Sequence, residues 1–234
     1  MANIGATEFY LGIPGLPRND FEEYSTRLFD EWESYVDSVL KLPDYSIALE
    51  VEEGSIKAVG RVAATLGFLY IGIGQYGSFI NGLETIQKQV RDGGDYLADR
   101  AGAPFEDSKI KPRVSRRGES LARLQKLFVK VQRGKISVDD AMKETEAIFG
   151  SELEDAPEFA NALKDSLEQT PMLPQQIRLP LVDADGKELI PDRTRKREPR
   201  PSQPPQPAPI PEHYRVELGR ESKNGKRNVR VSNW

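Results

Sequence analysis

From Val62 to Leu83 the chain runs for 22 residues without a charged side chain. No other feature restricts its fold as tightly. A helix of that length spans about 30 Å of hydrocarbon, and the alternative is burial against other elements of a core. Five glycines, with Thr65, Gln75, Ser78 and Asn81, dilute the hydrophobicity of the run, and no aromatic belt or lysine-arginine asymmetry flanks it. Small residues at Gly67, Gly74, Ser78 and Gly82 would let another backbone approach closely. Burial is therefore the expectation, with membrane insertion of residues 62–83 as the alternative. Leu69, Ile73, Tyr76, Ile80, Leu83, Ile86 and Val90 follow helical spacing. They predict one long helix from Leu66 to Ala98, loosened in its glycine-rich first half and ended or kinked at Gly93-Gly94.

The flanking segments read as partners for that run. Phe21, Tyr24, Leu28, Trp32, Tyr35 and Val39 recur every three or four residues and predict a helix over Asn19–Lys41. Asn19 would cap it, Glu22 would complete a capping box, and Pro43 would stop it. From Tyr45 the period changes to two: Ile47, Leu49 and Val51 alternate with Glu50 and Glu52, Glu53-Gly54 offers a turn, and Ile56, Ala58 and Val62 resume the alternation. This is a β-hairpin with one buried and one acidic face. Three shorter helices follow over Ser120–Arg133, over Ser137–Gly150 and from Asp155 to Pro171. Eleven of the 17 prolines lie from Pro171 onward, seven of them between Pro199 and Pro211. That composition makes a linker, not a core. Two hairpins are expected around it, one at Leu181–Ile190 about Asp185-Gly186, the other at the C-terminus about Asn224-Gly225, a type I′ turn sequence.

Charge is distributed in blocks. Residues 1–100 hold 16 acids and 8 bases, residues 109–135 hold 10 bases and one acid, and residues 139–168 hold 10 acids and 2 bases. The segment from Asp192 carries a net +6 from 11 bases and 5 acids. Such alternation suits docking of one block on another, or self-association. With no cysteine and a single histidine, His213, the chain has no disulfide, thiolate zinc site or cysteine nucleophile, and a histidine triad within it is implausible. The opening MANIGATEFYLGIPGLPRND has neither a basic n-region nor an uninterrupted apolar h-region, so a cytoplasmic location is expected.

Several short motifs have plainer explanations. Gly72, Gly74 and Gly77 spell GxGxxG, but the helical phase runs through them and no βαβ unit follows. Ile71 to Gly77 resembles the core of the RIP homotypic interaction motif, yet Gly72 stands where that family has Gln and Gly77 where it has Asn. Asp183-Ala-Asp185-Gly186 starts like a calcium loop but lacks the later acids, and the PxxP strings lack a flanking arginine. No cofactor is therefore expected. The basic block, including Arg113, Arg116, Arg117, Arg123, Lys126 and Lys130, could neutralise phosphates or contact an acidic partner. It has no interleaved aromatics for base stacking. Docking on the chain's own acidic block at 139–168 or on its acidic N-terminal domain is the favoured reading.

The Tyr45–Val62 hairpin with the glycine-rich helix after it resembles small adaptor modules at the N-termini of bacterial signalling and conflict proteins. Residues SLARLQKLFVKVQRGKISVDDAMKETEAIFG are similar to SHOCT-type helical pairs, although Met142 and Lys143 stand where an aromatic is usual. These resemblances imply protein contacts and oligomerisation rather than catalysis. The expected fold is α+β: an N-terminal domain at 1–103, a basic segment and helical module at 104–170, a proline-rich linker at 171–212 and a β-hairpin at 213–234. The expected function is that of a non-enzymatic interaction or regulatory protein that forms homo-oligomers or recruits a protein partner. The partner would bind Tyr214, Val216, Leu218, Val229, Val231 and Trp234, through the hairpin edge. A membrane effector and a nucleic-acid binder using residues 109–135 are the alternatives.

Overall fold

The computed structural model describes residues 1–13, 15–108, 112–117, 120–171 and 213–233, with backbone alone at 106–108, 116 and 117. The fold is α+β. Six strands form one antiparallel sheet: β1 (Ala2–Leu11), β2 (Ser46–Glu52), β3 (Ile56–Ala64), β4 (Arg113–Arg117), β5 (Tyr214–Arg220) and β6 (Arg227–Asn233). Their spatial order is β4-β1-β3-β2-β5-β6. Helices α1 (Arg18–Val39), α2 (Leu66–Gly74) and α3 (Phe79–Gly102) come from the first half, and α4 (Ser120–Gln132), α5 (Val138–Phe149) and α6 (Pro157–Glu168) from the second.

Alternation decides which face of the sheet is covered. Phe9 and Leu11 of β1, Ile47, Leu49 and Val51 of β2, Ile56, Ala58 and Val62 of β3, and Val216 and Leu218 of β5 are all buried. Their neighbours along each strand face away from the helices. Helices α1 and α3 pack together and against the sheet, α4 packs on β1 and α3, and α6 packs on α2 and α3. Phe79 joins the later helices to this layer, with its ring centroid 6.2 Å from Phe128 and 5.4 Å from Phe159. One contiguous core therefore runs from Ile4 to Leu218 and includes Leu121, Leu124 and Leu163.

The uncharged run is core, as expected, but not one helix. Its first residues end β3, Thr65 caps α2 through a hydrogen bond from the Phe68 amide, and Ser78 caps α3 by accepting from the Asn81 amide. Between the two helices Gly77 takes φ +78°, which breaks the phase that periodicity alone carried through. Gly72 and Gly74 thus sit at the C-terminal end of α2, not at a strand-to-helix turn, so the dinucleotide geometry is absent there. No helix among the described residues is long and apolar enough to cross a membrane.

Gly93 and Gly94 do not end α3, which continues to Gly102. They are packing positions: a Cβ on Gly94 would lie 2.0 Å from Thr7 Oγ1, and the Gly93 carbonyl accepts the Trp32 indole N–H at 3.1 Å. Other boundaries also shift. Helix α1 begins at Arg18 after Pro17, so Asn19 lies inside its first turn and makes no cap hydrogen bond. Its buried face drifts from Phe21 and Tyr24 to Phe29, Trp32 and Val36, while Tyr35 stacks on Tyr96 at 4.1 Å. Helix α6 begins at Pro157 rather than at Asp155. Strand β1, which was not foreseen, is central, pairing with β3 on one side and β4 on the other.

Candidate functional site

The C-terminal hairpin forms, but its first strand is not available to a partner. Strand β5 pairs with β2 from Ile47–Arg220 to Glu52–Arg215. Val216 and Leu218 are consequently buried, so the expectation that they contact a partner is corrected: they complete the core. Tyr214 is half-buried, with the Arg18 guanidinium 5.5 Å from its ring centroid, and its carbonyl accepts the Glu53 amide at 2.9 Å. Trp234 lies outside the described residues, as does the Leu181–Ile190 hairpin.

A charged clasp fixes the hairpin on α1. Arg220 is 7% exposed, reaches the helix side of the sheet and donates to Asp37, at 3.1 Å for one of its contacts. The same guanidinium lies 3.3 Å from Glu33 and donates to the Lys223 carbonyl at 2.7 Å. Arg227 next to it pairs with Asp30 and with Glu33, the latter at 2.7 Å, and stands 5.0 Å from the Phe29 ring centroid. The Tyr45 hydroxyl donates to Asp37. Burial, then that hydrogen bond, push the Tyr45 phenol well above the ordinary tyrosine range and keep it protonated.

The clasp also explains the hairpin loop. Asn224-Gly225 suits a two-residue type I′ turn, but six residues, 221–226, separate β5 from β6. The Asp44 carboxylate accepts the Lys223 amide at 2.6 Å, drawing the loop toward the start of β2. Local turn preference yields here to charge-assisted hydrogen bonds.

Among the described residues strand β6 pairs only on its β5 side and forms an outer edge of the sheet. Its register puts Arg227, Val229 and Val231 on the helix side, opposite Arg220, Leu218 and Val216. Asn228, Arg230 and Ser232 face the open side. Val229 is 55% exposed, beyond the reach of α1. The expected partner residues thus divide between a sealed strand and an open one.

The basic block is divided as well. Arg113, Arg116 and Arg117 lie on β4, the opposite outer strand, whereas Arg123, Lys126 and Lys130 lie on α4. Among the described residues one ion pair, Lys130 to Glu144 at 2.6 Å, joins the basic block to the acidic block at 139–168, while β4 pairs with β1 and α4 packs on β1 and α3 of the N-terminal part. Arg113, Arg123, Lys126, Arg133 and Lys135 are exposed and form no ion pair among the described residues.

The open face of the sheet balances its charges. Arg61 lies 3.5 Å from Glu50, Lys57 lies 3.6 Å from Glu52, and Arg215 reaches both acids, at 3.3 Å and 2.5 Å. Glu50, Glu52, Lys57 and Arg61, with Glu8 and Val59, line a shallow cleft of about 230 Å³. Glu50 and Glu52 are already committed to cations, so neither stands there as a free general base. Among the described residues no group of His, Asp and Glu is arranged to hold a metal ion.

No single periodicity reveals the clasp, since its partners are separated by more than 180 residues. The one available signal was an alternating strand carrying an arginine on its apolar face, Val216-Glu-Leu218-Gly-Arg220. No family model, no curated protein and no solved structure matches the chain.

Proposed function

We propose that this chain is a non-enzymatic, cytoplasmic interaction protein that recruits a protein partner by strand addition to the outer edge of β6. The observation that carries this reading is the combination of a strand edge unpaired among the described residues with exposed Val229, in a hairpin clamped to α1 by Arg220 and Arg227. A clamped edge presents its N–H and C=O groups in fixed positions, which lowers the ordering cost of pairing. Side-chain alternation on β6 defines the partner. Residues of the added strand on the helix side would cover Val229 and Val231 and should be apolar, while those on the open side would meet Arg230 and should be acidic.

Pairing of β6 with a second copy of itself is less well supported. The strand has two arginines and no acid, so such a ladder would collect like charges. A labelled eight-residue peptide of alternating valine and glutamate tests the proposal by fluorescence anisotropy on the full chain. Saturable binding that weakens at least tenfold in Val229→Glu is the expected result. Val229 is exposed, so the substitution leaves the core intact. Equal binding by both proteins overturns the proposal.

A further inference from the structure

We infer that the β4–α4 surface binds the phosphate backbone of double-stranded nucleic acid, without sequence preference, at the edge of the sheet opposite β6. This goes beyond strand capture, and a different observation carries it: the cations of the basic block that form no ion pair among the described residues. Two outer strands of a six-stranded sheet are five interstrand steps apart, about 24 Å, so the two surfaces do not overlap.

Helix α4 buries Leu121, Leu124, Leu127, Phe128 and Val131. That leaves Arg123, Lys126, Lys130 and Arg133 at spacings of three, four and three on its outer face. Ten residues of helix put about 15 Å between the first and the last of them. Along one strand of a duplex that distance covers about four phosphates. The chain continues the stripe at both ends. Lys135 follows directly, in a turn where Gly134 takes φ +61° and the Lys135 amide donates to the Lys130 carbonyl at 2.9 Å. On the N-terminal side β4 precedes α4 in the chain and carries Arg113, which is exposed.

Neutralisation within the protein is small. Among the described residues Lys130 is paired with Glu144, and Arg113, Arg123, Lys126, Arg133 and Lys135 form no ion pair, which leaves them as a local surplus. On the open face of the sheet, by contrast, Arg61, Lys57 and Arg215 are each matched to Glu50 or Glu52. An excess of this size suits a polyanion with a charge every 1.7 Å or so better than the few acids of a protein helix. The exposed positions of α4 are cations and Val129 rather than aromatic rings, so base stacking and single-strand selectivity are not provided. Contact is with the backbone, and sequence is not read.

The test is fluorescence anisotropy of the full chain on a labelled 20-base-pair DNA duplex of mixed sequence. With four to five phosphates neutralised, affinity should fall roughly 10²- to 10³-fold between 50 and 200 mM salt. The variant Arg123→Glu, Lys126→Glu, Arg133→Glu should bind at least 100-fold more weakly at 50 mM salt. A control of equal charge change, Lys41→Glu, Lys88→Glu, Lys164→Glu, alters exposed lysines elsewhere and should stay within about fivefold of the unmodified chain. Circular dichroism establishes that both variants fold. Three results overturn the inference: no binding at 50 mM salt, equal loss in the control, or a triple variant that changes the sedimenting mass of the protein alone while leaving duplex binding intact. The last would identify α4 as a contact between copies. Peptide capture at β6 is scored separately and should be the same in all three proteins.

Discussion

Replacing Arg220 with alanine removes the centre of the clasp. Four interactions go together: the contacts to Asp37 and Glu33, the hydrogen bond to the Lys223 carbonyl and the guanidinium 5.5 Å from the Tyr45 ring centroid. Breaking a fully buried ion pair costs about 3–5 kcal/mol. Two features reduce that figure. Asp37 is 35% exposed and retains the Tyr45 hydroxyl, and Glu33 retains Arg227, so neither carboxylate is stranded. Loss of the buried aliphatic stem adds about 0.8 kcal/mol per methylene. Together these give about 3 kcal/mol for Arg220→Ala and about 2 kcal/mol for Arg220→Met, which keeps most of the stem. At about 1.4 kcal/mol per tenfold, the alanine variant should open its hairpin about two orders of magnitude more often. Hydrogen exchange read by mass spectrometry localises the effect: amides of Tyr214–Arg220 and Arg227–Asn233 should lose protection first. A loss below about 1 kcal/mol, or unchanged protection of both strands, refutes the assignment of Arg220 as the clamp.

Gly94→Ala should destabilise the chain by about 2–3 kcal/mol in urea unfolding, because the new Cβ would lie 2.0 Å from Thr7 Oγ1. Thr7→Ala in the same chain should recover part of that loss. Tyr24 is buried, donates to the Ala101 carbonyl at 3.0 Å and has its phenol pushed above the ordinary value by burial. Its folded-state pKa therefore exceeds the unfolded one, so its contribution is fully present below about pH 10 and is lost as the unfolded chain ionises above it. The urea midpoint should fall between pH 9 and 11, and Tyr24→Phe should fall less steeply over that range. Lys130→Ala removes a pair whose members are 42% and 44% exposed, and should cost less than about 1 kcal/mol by thermal unfolding.

The long-period patterns were legible in the sequence and the pairings were not. Alternation at Ile47, Leu49 and Val51 and helical spacing at Phe21, Tyr24, Leu28 and Trp32 located β2 and α1 within a few residues. Strand β1 escaped because Gly5, Ala6 and Thr7 carry no alternating apolar signal. Gly5 and Thr7 serve the close approach of α3, where Val90 faces Gly5 and Gly94 faces Thr7. Gly93-Gly94 looked like a terminus for the same reason, since local sequence does not distinguish a glycine that ends a helix from one that lets it pack. The hairpin was visible in Val216, Leu218, Val229 and Val231, but its docking on β2 depends on a contact between Asp37 and Arg220 that no local pattern encodes. The basic block was equally plain, and only the three-dimensional arrangement separates Lys130, paired with Glu144, from the bases that form no ion pair among the described residues.

Strand capture at β6 requires that the hairpin stay on β2 while the partner binds. Glu50 and Glu217 are direct cross-strand partners, and the chain contains no cysteine. The pair Glu50→Cys, Glu217→Cys can therefore lock β5 to β2 with a single disulfide. Binding of the valine-glutamate peptide is then measured on the same protein, oxidised and reduced. Affinity within about twofold in the two states is the predicted result, because the outer edge of β6 is unaffected by the lock. Binding that disappears on oxidation and returns on reduction would contradict it, showing that the hairpin must leave the sheet to engage a partner.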